Sequence, residues 1–369
     1  MNCSHKGDGK RVYGHDFNPY EIAVCGPSSA DRIALTTRLA SLFDADFAVG
    51  QVIQRNSAND DDPHAALGVN LLTGGGEHGL LYPSLMDAYL GARPLMDVDL
   101  VFFASEPDVD TPKVVWVGDG PAPGYSNVIA YVSKAGACPV LPADAPYFTE
   151  DQSLLIRAQL EQHLLSVAES VPLHGLVLVG GRSSRMQEDK GVLQYHGLSQ
   201  VDYCRNLLAG VCDQVFVSLR TEQASEPGYQ GLPQIQDAFL GFGPLGGILS
   251  AQKANPRAAW LVLACDLPYV SRSTIEYLVA NRNPFKLATA YASAHDGFPE
   301  PLCAVYEPKS IFRLTQFLAL GYHCPRKVLI NSDTCLLEQP DPRSLDNVND
   351  PTERELALNA LSREAPRPV

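Results

Sequence analysis

The chain has 369 residues, of which 45% are hydrophobic and 19% charged, and its formal net charge is −14. This length predicts two domains, each with enough apolar residues for a buried core. The acidic balance argues against a nucleic-acid partner, which needs a basic surface. No apolar run reaches the ~20 residues that span a bilayer, and the polar N-terminus lacks an apolar signal segment. We therefore expect a soluble, cytoplasmic protein without a membrane partner.

The acidic charge is concentrated in the first half of the chain. Residues 1–172 contain 10 Lys and Arg against 22 Asp and Glu, whereas residues 173–369 contain 18 against 20. An anion site in the second half must therefore be local. The nine cysteines are scattered and form no CxxC pair, which predicts reduced thiols rather than a disulfide framework or a zinc site.

The first domain is predicted to follow a disordered tail, residues 1–20, and to cover residues 21–168. Its predicted strands and helices alternate, and a polar, turn-rich segment at 54–64 predicts a loop. The strands are predicted at 22–25, 99–104, 114–117 and 128–132, and the helices at 31–43 and 150–170. Residues 170–174 are predicted to link this domain to the next.

The second domain, residues 174–369, repeats the alternation. Its strands are predicted at 175–179, 214–219, 260–264, 288–291 and 302–306, and its helices near 199–211, 245–254, 271–281 and 308–320. Alternating strands and helices predict a mainly parallel sheet covered on both faces. The predicted fold class is therefore α/β, with two Rossmann-like three-layer domains.

The most informative segment, LVGGRSSRMQEDK at 178–190, directly follows a buried strand. Its two glycines allow the backbone N–H groups to approach a ligand closely. Its arginines and lysine supply positive charge and donors for phosphate oxygens. The segment is neither a Walker loop nor a GxGxxG loop, and it predicts a triphosphate site.

A second feature points to the same edge of the sheet. Asp266 follows the apolar strand 260–264, and open α/β sheets bind ligands at the carboxyl ends of their strands. A carboxylate that faces a triphosphate is a natural Mg²⁺ ligand. Taken alone, Asp266 could equally be the N-cap of a helix.

The pattern LxGGxSxRMxxDK resembles the first motif of the molybdenum cofactor guanylyltransferases, the MobA family. Three later segments resemble its other motifs in the same order: QD before GPLGGI at 243–248, ACDLP at 264–268 and NVNDPTE at 347–353. The resemblance covers residues 174–358 and implies a nucleotidyltransferase fold for the second domain. The chain departs from the family at Gln187, where glycine is usual, and at Ser218, where asparagine is common.

The resemblance implies that the terminal phosphate of the molybdopterin cofactor attacks the α-phosphorus of GTP, so that pyrophosphate leaves. Arg185 and Lys190 would neutralise the phosphates, and Asp266 would hold Mg²⁺. The resemblance also implies a set of nucleotide contacts. These are Leu178, Val179, Gly180, Gly181, Lys190, Ser218, Asp237, Gly246 and Asp266. Asn349 either reaches the site or caps the last helix.

Two other functions stay open. The first is a nucleotidyltransferase of the same fold with another nucleotide or acceptor, such as CTP or a sugar phosphate. The pair Gly180-Gly181 favours guanine, because related cytidylyltransferases usually carry Ala-Gly there. The second is a non-catalytic protein that binds or carries the cofactor.

In the first domain a strand leads into GPSSADRI at 26–33, which occupies the place of a P-loop. This layout weakly resembles the MobB family, the P-loop adaptor partner of MobA proteins. That loop needs Gly, Lys and Ser or Thr at its last three positions, where this chain has Asp31, Arg32 and Ile33. We therefore expect a degenerate domain without nucleotide hydrolysis. Three roles stay open for it: docking of molybdoenzymes or cofactor-insertion proteins, binding of the cofactor, and holding a dimer together.

Overall fold

The computed structural model describes residues 20–55, 67–73, 76–82, 98–104, 111–179 and 190–364. Contacts between Cα atoms divide the chain into two compact units, Met1–Glu169 and Ser170–Val369. Within the described ranges, no helix is long and apolar enough to cross a membrane.

The first unit is an eight-stranded sheet with a helix after its first strand and another at its end. The elements of this unit are β1 (Glu21–Cys25), α1 (Ser29–Phe43), β2 (Val49–Arg55), β3 (Leu67–Thr73), β4 (Gly76–Tyr82), β5 (Leu100–Ala104), β6 (Lys113–Trp116), β7 (Gly120–Pro121), β8 (Val128–Ser133), β9 (Pro139–Val140), β10 (Tyr147–Thr149) and α2 (Ser153–Ser170). The sheet has the order β10-β8-β6-β1-β5-β2-β3-β4. Strands β7 and β9 form a separate small parallel pair.

Most of this sheet is parallel, as predicted, but its far edge is not. Strands β2, β3 and β4 form an antiparallel meander, which the sequence did not predict. The predicted loop at 54–64 is therefore wrong at its first two residues, because Gln54 and Arg55 belong to β2. Residues 56–64 lie outside the described residues.

The second unit contains a seven-stranded sheet. Its elements are β11 (Leu173–Leu178), a 3-10 helix (Lys190–Val192), α3 (Gln200–Ala209), β12 (Gln214–Leu219), β13 (Gln234–Gln236), α4 (Pro244–Ala254), β14 (Ala259–Ala264), α5 (Arg272–Ala280), β15 (Ala288–Ala292), β16 (Pro299–Tyr306), α6 (Ser310–Ala319), α7 (Pro325–Ile330), β17 (Thr334–Leu337) and α8 (Pro351–Glu364). The strand order is β13-β12-β11-β14-β16-β15-β17. The predicted linker is too long, because Ser170 ends α2 and His174 lies within β11.

The register of the parallel strands brings three strand ends to one edge of this sheet. Leu178 of β11 is paired with Ser218 of β12 on one side and with Ala264 of β14 on the other. Every residue of β11 and β14 is buried. Because these strands are buried in the core, they fix the positions of the polar residues that follow them.

Helices cover both faces of the sheet. A Cβ atom on Gly175 would lie 3.1 Å from the side chain of Leu208 on α3, whereas one on Gly247 of α4 would lie 2.9 Å from Leu178. Gly175 and Leu178 are three positions apart on β11, so they face opposite sides. The predicted three-layer arrangement, a mainly parallel sheet between helices, is confirmed.

One strand runs against the others. Strand β16 is antiparallel to both β14 and β15. A tight connection between β15 and β16 explains the reversal: the Ser293 N–H donates to the Phe298 carbonyl at 2.8 Å, and Gly297 adopts a φ of +74°. A connection this short can only join antiparallel strands.

A buried ion pair closes the end of β16, and its loss is expected to destabilise the unit. Arg282 donates from Nε and Nη2 to the carboxylate of Glu307 at 2.7 and 2.8 Å, and Glu307 is 1% exposed. Burial raises the pKa of Glu307, and Arg282 opposes that shift. We expect Arg282→Met to lower the free energy of unfolding by about 3–5 kcal/mol at pH 7, because it leaves a buried carboxylate unpaired.

Urea denaturation followed by circular dichroism measures this effect. The loss should shrink at pH 5, because Glu307 without its partner takes up a proton. The double variant Arg282→Met/Glu307→Gln should recover part of it. Equal stability of Arg282→Met and the unchanged protein at pH 7 would show that the pair contributes nothing.

Candidate active site

Residues from four segments meet where β11, β12 and β14 end. Val179 follows β11, and Asp266 lies two residues after β14. Lys190 is the first residue of the 3-10 helix, and Ser218 is the second-last residue of β12. Three further predicted residues, Gly180, Gly181 and Arg185, lie outside the described residues. The sequence prediction that these strand ends share one edge is therefore confirmed for the residues that the structure describes.

Lys190 connects two predicted motifs. Its Nζ donates to Asp266 Oδ2 at 3.2 Å and to Asn349 Oδ1 at 2.8 Å. Its side chain is 11% exposed, and that of Asp266 is 23% exposed. The cluster is thus partly shielded from water, which strengthens the charge interactions within it.

Asn349 reaches this cluster instead of capping the last helix. Its backbone N–H donates to Glu353 Oε2 at 2.6 Å, while Asp350 Oδ1 accepts the N–H groups of Thr352 and Glu353, both at 2.9 Å. Asp350 therefore caps α8. The neighbouring Val348 N–H donates to the Asp266 carbonyl at 2.8 Å, which holds this C-terminal segment against the end of β14.

One carboxylate oxygen of Asp266 makes no hydrogen bond within the described part of the chain. Its Oδ1 is buried and has no hydrogen-bond partner among the described residues, whereas Oδ2 faces Lys190. Asp266 does not cap a helix, since α5 starts at Arg272 and is capped by Ser271. No group of three or more His, Cys, Asp or Glu side chains in the described ranges could hold a metal. One open carboxylate oxygen fits Mg²⁺, which usually binds one or two carboxylates together with phosphates and water.

The other predicted polar contacts lie further along the same edge. Ser218 Oγ donates to Asp237 Oδ1 at 3.1 Å, and Asp237 directly follows β13. Burial raises the pKa of Asp237, while the hydrogen bond from Ser218 and the charge of Arg220 lower it. This carboxylate is therefore partly desolvated. A partly desolvated carboxylate in a cleft is a candidate for binding a ligand through hydrogen bonds.

A cavity of about 620 Å³ opens between these groups and the start of α4. Its lining residues are Leu178, Val179, Ser218, Arg220, Glu222, Gln223, Glu226, Asp237, Leu240, Gly241, Gly243, Pro244 and Gly247. Gly243 adopts a φ of +55° immediately before α4, a conformation that favours glycine. Four of the predicted nucleotide contacts, Leu178, Val179, Ser218 and Asp237, therefore line one cavity.

The predicted contact Gly246 is not in that lining. A Cβ atom on Gly246 would lie 2.4 Å from the carbonyl oxygen of Phe239, so α4 packs closely against the loop after β13. Its neighbour Gly247 lines the cavity instead, and a Cβ there would lie 2.6 Å from Ser218 Oγ. Both glycines therefore permit close packing of α4, Gly246 against the loop after β13 and Gly247 against the ends of β11 and β12.

A second cavity of about 740 Å³ lies on the other side of Pro244, which lines both. Asp266, Asn347, Val348 and Glu353 contribute to it from the motifs described above. Arg326 also lines it, and donates to Glu300 Oε2 at 2.7 Å and Asp296 Oδ2 at 3.2 Å. The sequence did not predict this cavity, because its walls come from segments that are far apart in the chain.

The arrangement suits a reaction between two bound molecules. The first cavity includes Leu178 and Val179, which begin the segment that predicts a phosphate site. The second includes Asp266, which Lys190 contacts, and Pro244 lines both cavities. The positive charges of a metal ion held by Asp266 and of Lys190 can neutralise phosphate charge during transfer.

Fold and site together define the class of a nucleotidyltransferase, and comparisons with known proteins agree. The family profile described as MobA-like NTP transferase domain matches residues 175–334. A molybdenum cofactor guanylyltransferase of Pseudomonas putida is 31% identical over 187 residues, which cover 49% of this chain and 94% of that protein. The chain belongs to the molybdenum cofactor guanylyltransferase family.

Two further comparisons cover similar shares of the chain. A molybdenum cofactor biosynthesis bifunctional protein of Synechocystis is 39% identical over 180 residues, or 49% of this chain and 52% of that protein. The alignment thus spans about half the length of that relative. The crystal structure of molybdopterin-guanine dinucleotide biosynthesis protein A from Archaeoglobus fulgidus aligns with 52% of this chain and 99% of its own, at 21% identity and a TM-score of 0.43.

Proposed function

We propose that the protein transfers GMP from GTP to the phosphate of the molybdenum–molybdopterin cofactor, forming molybdopterin guanine dinucleotide and pyrophosphate. The observation that carries this proposal is the Lys190–Asp266–Asn349 cluster, whose Asp266 lines one of two cavities that share Pro244. The cavity at Asp237 would take GTP, and the cavity at Arg326 would take the acceptor.

The chain's own residues would act mainly by alignment and charge neutralisation. Lys190 would turn from Asp266 and Asn349 to the phosphates of GTP, and Arg185 would add a second cation. Backbone groups at Val179, Gly180 and Gly181 would hold the triphosphate. Such transfer needs little covalent chemistry from the protein.

Asp266 would hold Mg²⁺ through its unpartnered Oδ1. When bound, Mg²⁺ supplies positive charge that offsets the charge of the phosphate oxygens. Lys190 on Oδ2 would keep the carboxylate oriented until the nucleotide arrives.

Nucleotide binding by the full chain tests the proposal. Calorimetry with GTP, CTP and ATP in the presence of Mg²⁺ should show selective binding of GTP. A preference for CTP would favour the cytidylyl alternative, and a protein that binds the molybdopterin cofactor but none of the nucleotides would be a carrier.

GTP binding is also expected to weaken on acidification. The decline should begin at a higher pH than it would if Asp237 had the pKa of an ordinary aspartate. Asp237 must be ionised to accept hydrogen bonds from the guanine, and burial raises its pKa. Binding should therefore be full above that pKa and decline below it. The pH dependence of the dissociation constant measures this, with Asp237→Asn as control, which should bind GTP weakly and without the acidic decline.

For the first unit we propose a degenerate MobB-like domain that binds no nucleotide. Only three residues separate the end of β1 at Cys25 from the start of α1 at Ser29, which leaves little loop to surround a phosphate. Asp31 shares hydrogen bonds with Ser28 at the helix start, and Arg32 Nη1 donates to the Gly26 carbonyl at 2.8 Å. The side chain in the place of the P-loop lysine is thus turned toward its own loop.

This proposal predicts one GTP site per chain. The titration should give a stoichiometry of one, and Lys190→Ala should weaken that single site. A second GTP site that survives in Lys190→Ala would restore a nucleotide role to the first unit. We assign to this acidic unit the docking of molybdoenzymes or cofactor-insertion proteins, an association that should weaken as salt is added.

A further inference from the structure

Arg220 is a charged side chain that the proposed reaction leaves without a role. It directly follows β12, two residues after Ser218, and lines the same cavity as Asp237. It is close enough to Asp237 for its charge to lower the pKa of that carboxyl. The cavity therefore contains an acceptor and a donor group side by side.

A buried glutamine fixes the position of Arg220. Gln223 is 4% exposed, and its Oε1 accepts the Arg220 backbone N–H at 3.3 Å and its Nε at 3.2 Å. The terminal amino groups of Arg220 make no hydrogen bond or ion pair with any residue that the structure describes. Although Glu222 and Glu226 line the same cavity, neither forms a salt bridge with Arg220. The guanidinium is thus held in place with donors left for a ligand.

The strand order shows which part of a nucleotide these groups would meet. Strands β12 and β13 lie on the opposite side of β11 from β14, which carries Asp266. Neighbouring strands are about 4.8 Å apart, so the ends of β12 and β13 lie roughly 10–14 Å from that of β14. A triphosphate at Lys190 and Asp266 would therefore place the base, and not a phosphate, between Asp237 and Arg220.

Guanine fits this pair of groups. It presents N1–H and an N2 amino group that a carboxylate accepts, and O6 and N7, which arginine recognises with two parallel hydrogen bonds. We propose that Arg220, positioned by Gln223, reads O6 and N7 of the guanine while Asp237 accepts from N1 and N2. This inference rests on the proposed function and names how that site selects its nucleotide. Adenine would direct its N6 amino group at the Arg220 donors, and cytosine is too small to reach both groups.

Nucleotide analogues that lack single atoms test the assignment in the full chain. Calorimetry would compare GTP with 7-deaza-GTP, which lacks N7, and with ITP, which lacks the N2 amino group. The unchanged protein should bind 7-deaza-GTP about tenfold more weakly than GTP. Arg220→Met should bind GTP and 7-deaza-GTP equally but keep its penalty for ITP, whereas Asp237→Asn should lose the ITP penalty.

Four further variants separate recognition from folding. Arg220→Lys keeps the charge but not the planar pair of donors, so it should also bind GTP and 7-deaza-GTP equally. Gln223→Leu should reduce the 7-deaza-GTP penalty, and Gln223→Glu should retain it, because the acceptor oxygen for Arg220 remains. Arg272→Met, an exposed arginine on α5, should change neither ratio.

The inference is overturned if Arg220→Met keeps the full 7-deaza-GTP penalty, or if it weakens GTP, ATP and CTP by one common factor, as loss of a phosphate contact would. Its failure is distinguishable from that of the proposed function. If the unchanged protein has no preference for GTP, the proposed function fails. If that preference exists but Arg220→Met leaves the analogue ratios unchanged, only the role of Arg220 fails.

Discussion

Asp266→Ala is expected to lower the rate of guanylyl transfer about a thousandfold, the upper range for removal of one charge-stabilising group. The variant removes the open Oδ1, the proposed Mg²⁺ ligand, and the partner of Lys190. The backbone bond from Val348 to the carbonyl of residue 266 stays, so the C-terminal segment should remain in place. The measurement is the turnover number at saturating GTP, together with the thermal midpoint of unfolding.

Two variants sharpen this test. Asp266→Asn keeps the shape of the side chain but not its charge, so it should need more Mg²⁺ for any residual activity. Glu276→Ala removes an exposed carboxylate on α5 and should behave as the unchanged protein. Near-normal turnover in Asp266→Ala would exclude Asp266 from the reaction and with it the proposed metal position.

Lys190→Ala is expected to lower turnover about a hundredfold or more and to weaken GTP binding as well, because a fixed cation beside the phosphates is lost. Lys190 also bridges Asp266 and Asn349, so a small loss of stability should accompany the loss of activity. Kinetics and calorimetry on the same preparation measure both effects. Lys253→Ala, an exposed lysine near the end of α4, is the matched control.

The two roles of Lys190 can be separated. Asn349→Ala removes one of its partners without removing the cation, so it should retain far more activity than Lys190→Ala. If Lys190→Ala and Asn349→Ala lost stability and activity to the same extent, Lys190 would be a structural bridge and not a phosphate contact.

The sequence predicted much of the sheet because its central strands β11, β12 and β14 are short runs of mostly apolar residues. Strand β12 spans the predicted residues, and β11 and β14 differ from prediction by one or two residues at their ends. Their order in the sheet brought Lys190 and Asp266 together, as the motifs implied. The sequence can therefore predict which residues lie together at one edge of a sheet.

Other features depended on contacts that no local pattern reveals. The meander β2–β4 and strand β17 gain their stability from pairing with neighbours, so periodicity alone did not predict them. The second cavity combines residues from the loop after β14, from β16 and α7, and from the C-terminal segment. No local sequence pattern predicted a role for Arg220, because its orientation depends on hydrogen bonds to Oε1 of the buried Gln223.

The measurement that tests the central claim most directly is product formation from a mixture of GTP and CTP. The full chain, molybdopterin cofactor and Mg²⁺ would be incubated with both nucleotides, and the products identified by mass spectrometry while pyrophosphate is quantified. We predict molybdopterin guanine dinucleotide, with one pyrophosphate released for each. A cytosine dinucleotide as the main product, or GTP bound without pyrophosphate release, would contradict guanylyl transfer by this protein.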